Sequence, residues 1–104
     1  MLFDQGTPAP LRRHLPGHSV DTAFERGWSD LRNGDLLDRA EAAGFDLLIT
    51  TDQHLRYEQE LSGRRLGVLV LLTTSWPRIR RRVEEVASAA ARMKPGDYEE
   101  VNIL

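Results

Sequence analysis

Apolar residues in this chain fall into short uninterrupted runs, separated by stretches where they recur every three or four positions. That alternation predicts strands and helices in turn. Residues 1 to 5 read as a first strand, after which Thr7 caps a short helix with Pro8 in its first turn, reaching about Leu15 and ending at Pro16-Gly17. His18 to Glu25 places Val20, Thr22 and Phe24 at period two, a second strand with one half-buried face. Gly27-Trp28 and Asn33-Gly34 frame a connection into a helix with Leu36, Leu37, Ala40 and Ala43 on its apolar side, and Gly44 stops it.

Leu47, Leu48 and Ile49 are consecutive apolar residues, the mark of a third strand covered on both faces. Gln53 to Leu61 is polar with apolar residues interspersed, a helical turn or short helix closed by Ser62-Gly63. The longest apolar run, Leu66 to Leu72, is the best candidate for a central strand. Ser75 then caps a helix with Pro77 in its first turn, and Ile79, Val83, Val86, Ala90 and Met93 form one continuous stripe along it. Lys94-Pro95-Gly96 ends that helix, and the weak alternation from Asp97 to Leu104 leaves room for a final edge strand.

Strands alternating with helices require crossovers, and crossovers make parallel pairs. The fold expected is therefore a three-layer α/β/α domain with a mostly parallel central sheet of four to five strands. With 104 residues and no linker or internal repeat, the chain is read as one domain, 1 to 104.

Composition narrows the chemistry. No cysteine is present, which excludes disulfides, thiolate catalysis and cysteine-ligated zinc. No apolar stretch is long enough to span a membrane, and Met1-Leu2-Phe3-Asp4 lacks the basic start of a signal peptide, so the expected location is cytoplasmic and off the membrane. The net charge of −2 is not the footprint of a general nucleic-acid binder. Thirteen of the fourteen basic residues are arginine, which suits phosphate recognition but equally reflects a codon preference.

In an open parallel sheet, ligands gather at the carboxyl ends of the strands. Asp4 and Asp52 follow the first and third strands directly, and Asp35 lies in the first turn after the second strand's connection, so all three can converge on that edge. Three carboxylates together repel unless a cation neutralises them, and an oxygen-only set favours Mg²⁺ or Mn²⁺ over zinc. Each acid also has a plainer role. Asp35 suits a helix N-terminus, Asp52 can form an Asx-turn, and only Asp4 at a buried strand end is costly without a partner.

His54, two residues past Asp52, could act as a general base or ligand, although a surface position explains it as well. His14 and His18 flank Pro16-Gly17 and are expected in solvent at the opposite edge. Arg78, Arg81 and Arg82 could grip phosphates, with Glu84 and Glu85 as alternative partners; Trp28 and Trp76 could stack on an unpaired base or simply pack. Thr50, Thr51, Thr73, Thr74 and Ser75 put hydroxyls at two strand ends, where they could orient a phosphate or a water.

Four blocks taken in order resemble a known family: Leu2-Phe3-Asp4-Gln5-Gly6-Thr7-Pro8, Gly17-His18-Ser19-Val20, Asn33-Gly34-Asp35-Leu36-Leu37-Asp38-Arg39-Ala40, and Leu47-Leu48-Ile49-Thr50-Thr51-Asp52. They resemble short PIN-like proteins related to the VapC-type toxin nucleases, over roughly residues 1 to 75. The resemblance implies a PIN-like parallel sheet with an acidic pocket, Mg²⁺- or Mn²⁺-dependent cleavage of RNA, and a small antitoxin from a neighbouring gene that covers the pocket. Asp4, Asp35 and Asp52 match the family's acidic positions. Gln5 stands where relatives commonly carry Glu, and His54 where many carry a second Asp.

The first functional reading is thus a toxin-type ribonuclease with Asp4, Asp35 and Asp52 on the metal and His54 assisting proton transfer. Gln5, Thr51, Trp28 and Arg78 are weaker candidates for touching RNA. The second is a catalytically degenerate PIN-like module that docks a partner protein, motivated by Gln5 and His54. A phospho-acceptor domain is a third, disfavoured because the only lysine, Lys94, lies past the last helix. The apolar last helix and weak final strand would suit a homodimer, common among PIN-like proteins.

Overall fold

The computed structural model describes residues 1 to 103, and its first strand is shorter than the apolar opening suggests. β1 is only Leu2–Phe3, and the chain turns directly after it, the Thr7 N–H donating to the Asp4 carbonyl at 3.2 Å. A 3₁₀ helix, Ala9–His14, follows; Pro8 and not Thr7 precedes it, and it has no side-chain cap. The second strand shrinks to β2, Asp21–Thr22, and Phe24 lies beyond it in a turn. Next come α1 (Asn33–Ala42), β3 (Leu47–Thr50), the short α2 (Leu55–Glu58), β4 (Gly67–Leu71), α3 (Trp76–Arg80), α4 (Val83–Arg92) and β5 (Tyr98–Val101).

The expected single helix through Ile79 and Met93 is broken in two. Arg82 leaves helical geometry at φ −123° and ψ 22°. Arg78, Arg81 and Arg82 would sit three and four residues apart on a continuous helix, where like charges destabilise it. In the broken form Arg82 pairs with Glu85 at 2.8 Å, and Glu84 and Glu85 lie in the first turn of α4 where their charge complements the dipole. The stripe survives the break in part: Ile79, Val86 and Ala90 are buried, while Val83 and Met93 are half-buried.

All five strands are parallel, in the order β2-β1-β3-β4-β5, so the expected sheet and its final edge strand are both present. Alternate residues of β3 and β4 face opposite layers. Leu47, Ile49, Leu69 and Leu71 pack with the 3₁₀ helix, α3 and α4, whereas Leu48, Val68 and Val70 pack with α1 and α2. The result is the three-layer α/β/α arrangement. The β3-to-β4 and β4-to-β5 connections step in the same direction but cover opposite faces, so they have opposite hand. Most parallel crossovers share one hand, and the last connection is this fold's exception.

Lys94-Pro95-Gly96-Asp97 delivers the chain to β5 by a turn with Pro at its second position and Gly96 at φ +86°. A Cβ on Gly96 would lie 2.9 Å from the Arg64 carbonyl oxygen, so the left-handed conformation is compounded by a backbone clash. Gly96→Ala is expected to destabilise the fold by at least about 1–2 kcal/mol. Urea denaturation checks this, and an unchanged midpoint would contradict it.

Candidate functional site

The sheet order reverses direction at β1: the chain steps from β1 to β2 on one side and then returns to β3 on the other. The crevice between the carboxyl ends of β1 and β3 is therefore the topological switch point, where open α/β sheets bind ligands. Asp4 and Asp52 are the acids at that crevice. Asp4 lies one residue past β1, with its N–H donating to the Ile49 carbonyl at 3.2 Å, and Asp52 lies two residues past β3.

Hydroxyls hold Asp4. Thr50 Oγ1 donates to Asp4 Oδ2, and Thr7 Oγ1 lies 2.6 Å from Asp4 Oδ1 and 2.8 Å from the Ile49 carbonyl, its one proton shared between two acceptors. Thr7 and Thr50 are themselves buried, which fixes their rotamers. The Thr50 oxygen also accepts the Asp52 N–H at 3.0 Å, so one hydroxyl links the two acids. Gly6 closes the site from above: a Cβ there would meet Thr51 Oγ1 at 2.8 Å.

Asp52 is half-buried and braced on both oxygens. Oδ1 accepts the His54 N–H at 2.9 Å, the Asx-turn anticipated from sequence, and Oδ2 accepts Asn33 Nδ2 at 2.8 Å from the first turn of α1. Burial pushes the Asp4 carboxyl above its ordinary value, and the charge of Asp52 adds to that rise, against the lowering effect of the threonine hydrogen bonds. Neither acid has a salt bridge to a basic side chain among the described residues. Their charges are met by hydrogen bonds alone, which leaves part of the cost of burying them uncompensated.

The third expected acid is not brought to the pair. Asp35 is exposed in the first turn of α1, and among the described residues no group of three or more His, Asp or Glu side chains is placed to hold a metal. Asn33, two positions earlier, reaches Asp52 instead. No matching family model, curated protein or solved structure is found for this chain. The site is thus defined by its own geometry.

The remaining candidates divide clearly. Thr51 is buried beside Gly6 at the crevice, and Gln5 and His54 are exposed on the same rim. Trp28 is not at the rim: it packs edge-to-face on Phe45, ring centres 6.3 Å apart, and Phe45 precedes β3 at the sheet's other end. Arg26 lies over both rings, 5.4 Å from the centre of Trp28's, so that indole is engaged in packing away from the rim. Arg78 is exposed on α3. His14, expected in solvent, is half-buried with its ring 5.8 Å from that of Trp76, whereas His18 is exposed as anticipated.

Asn33 and Thr7 make contacts at the two acids that the sequence did not announce, Thr7 being accounted for by helix capping. Thr50 was expected among strand-end hydroxyls that orient a phosphate or a water, and it bonds the two acids instead. The usable signal for Asn33 was its place at a helix start feeding the crevice, where an amide can meet a strand-end acid.

The residues present fit a hard divalent cation of the sparsely held kind. Mg²⁺ commonly takes one or two protein carboxylates and completes its shell with water and substrate phosphate oxygens. Asp4 and Asp52 supply that number, with Asn33 Oδ1 and the Thr51 hydroxyl as neutral oxygens nearby.

Proposed function

We propose that this chain is a Mg²⁺- or Mn²⁺-dependent endoribonuclease of the toxin type, a PIN-like protein that cleaves RNA at the β1/β3 crevice. The observation that carries the reading is the half-buried pair Asp4 and Asp52, linked through Thr50 and lacking any basic partner among the described residues at a topological switch point. Asp4 and Asp52 would hold the cation, which when bound supplies Lewis acidity to a phosphodiester. Thr7 and Thr50 fix the Asp4 carboxylate, and Asn33 fixes that of Asp52, so neither must reorganise when substrate arrives. His54, exposed two residues on, is available to take or give a proton; Gln5 and Thr51 line the approach, and Arg78 offers a cation for a more distant phosphate.

Among the described residues no helix is long and apolar enough to cross a membrane. A cytoplasmic enzyme, a small antitoxin-like partner from a neighbouring gene that covers the rim, and a homodimer complete the proposal. The test is a fluorescence-quenched RNA incubated with purified protein. Cleavage is expected with Mn²⁺ and none with EDTA. RNA left intact across Mg²⁺ and Mn²⁺ concentrations would contradict the nuclease reading.

One observation favours a second reading, a degenerate module that docks a partner protein. An amide, Asn33, stands against Asp52 where a third carboxylate is expected, and fewer negative ligands weaken metal binding. Absence of Mg²⁺ and Mn²⁺ binding at millimolar concentration would select it.

A further inference from the structure

Phe24 is the most solvent-exposed large apolar side chain among the described residues, at 78%. We infer that the cleft beside it is a nucleobase site, seating an unpaired base of single-stranded RNA on the Phe24 ring with an adjoining phosphate on Arg13. The inference rests on the proposed RNA-cleaving function and names where its substrate is held.

Three features carry it. First, the ring is free. Tyr57, the other exposed aromatic, is covered by the Arg56 guanidinium at 4.6 Å, whereas Phe24 has no aromatic or cationic neighbour of that kind among the described residues. Second, the ring borders a cleft of about 570 Å³ shared with Ala9, Pro10, Arg13 and Thr22, a size suited to a small planar ligand. Glu25 engages Arg12 at 2.5 Å, and Arg13 beside it is exposed with no acidic partner among the described residues. One unpaired guanidinium next to one bare ring is the pairing that single-stranded nucleic acid uses, a base on the aromatic face and a phosphate on the cation.

Third, Phe24 stands at the same end of the sheet as the two acids. Thr22 pairs with Phe3, and the Ala23 N–H donates to the Phe3 carbonyl at 2.8 Å, so Phe24 leaves β2 at the level where Asp4 leaves β1. Neighbouring strands lie about 4.8 Å apart, and an RNA strand crossing the rim would pass Phe24, Asp4 and Asp52 in turn. The chain's net charge of −2 gives no general attraction for RNA, so a local anchor off the acidic pair is what binding requires.

The experiment is fluorescence anisotropy of a fluorescein-labelled single-stranded RNA with the full chain in EDTA, beside the Mn²⁺ cleavage assay. Phe24→Ala is expected to weaken binding about 5- to 150-fold, from about 1–3 kcal/mol per stacked base, and Phe24→Trp to restore it. Arg13→Gln should weaken binding and lower the salt slope by about 0.7, the share of one phosphate. Since Phe24 and Arg13 are exposed, both variants should melt as the parent does.

Equal affinity of Phe24→Ala and the parent overturns the inference and leaves the nuclease reading standing if the parent cleaves. Phe24-dependent binding without cleavage supports the base site and overturns the nuclease. A parent that binds no RNA overturns the base site. If Phe24→Ala converts a dimer to a monomer in sedimentation with RNA affinity unchanged, a second copy covers the ring and the inference fails.

Discussion

Asp4→Asn is expected to abolish Mn²⁺-dependent RNA cleavage while making the metal-free protein harder to unfold. Both effects follow from where the carboxylate sits. Losing the ligand removes Lewis-acid stabilisation worth several kcal/mol, so the rate should fall by about 10²- to 10⁴-fold. The opposite effect on stability comes from burial. Asp4 binds its proton more tightly in the folded chain than in the unfolded one, where it titrates near 3.8, so folding loses stability as pH rises above that value and Asp4 ionises.

An amide of the same shape removes that cost at neutral pH and can still meet Thr7 and Thr50, whose hydroxyls donate or accept. A gain of about 0.5–2 kcal/mol, the range of single stabilising substitutions, is expected. Thermal melts at pH 7.5 and pH 4 check the sign: the variant's advantage should be larger at the higher pH. Undiminished cleavage by the variant would remove Asp4 from the site.

Leu69→Ala is the second substitution expected to act strongly, here on the fold alone. Leu69 is fully buried at the middle of β4, in register with Ile49 on one side and Glu99 on the other, and it belongs to the layer shared with α3 and α4. Neighbours on a central strand cannot collapse into the space, so both the transfer and cavity costs apply, about 2–5 kcal/mol in all. A domain of this size holds only about 5–15 kcal/mol, so much of its margin would go. Urea denaturation should show a lower midpoint at unchanged slope; a loss below about 1 kcal/mol would contradict the packing described.

The sheet was legible because its strands obey the simplest rule available. Leu47 to Ile49 and Leu66 to Leu72 are short and apolar without interruption, as a strand covered on both faces requires, and both strands formed. What failed was local. Phe24 fits a period-two pattern with Val20 and Thr22, but β2 ends at Thr22 and the ring stands in water. The helix break at Arg82 has no glycine or proline to announce it, and a pattern of apolar positions does not register it.

The site was half legible for a related reason. Topology alone predicts that strand-end residues share a rim, which located Asp4 and Asp52. It does not say which residue of a helix's first turn points inward. Asn33 and Asp35 differ by two positions, roughly 200° around a helix of 3.6 residues per turn, so choosing one excludes the other from the same contact. Asn33 faces Asp52, and Asp35 is exposed.

Isothermal titration of Mn²⁺ into the parent chain, Asp4→Asn and Asp52→Asn tests most directly whether two acids share one cation at the β1/β3 crevice. The account predicts a single saturable site in the parent that either substitution removes. Heat unchanged by both substitutions, or no binding to the parent at millimolar Mn²⁺, would contradict it.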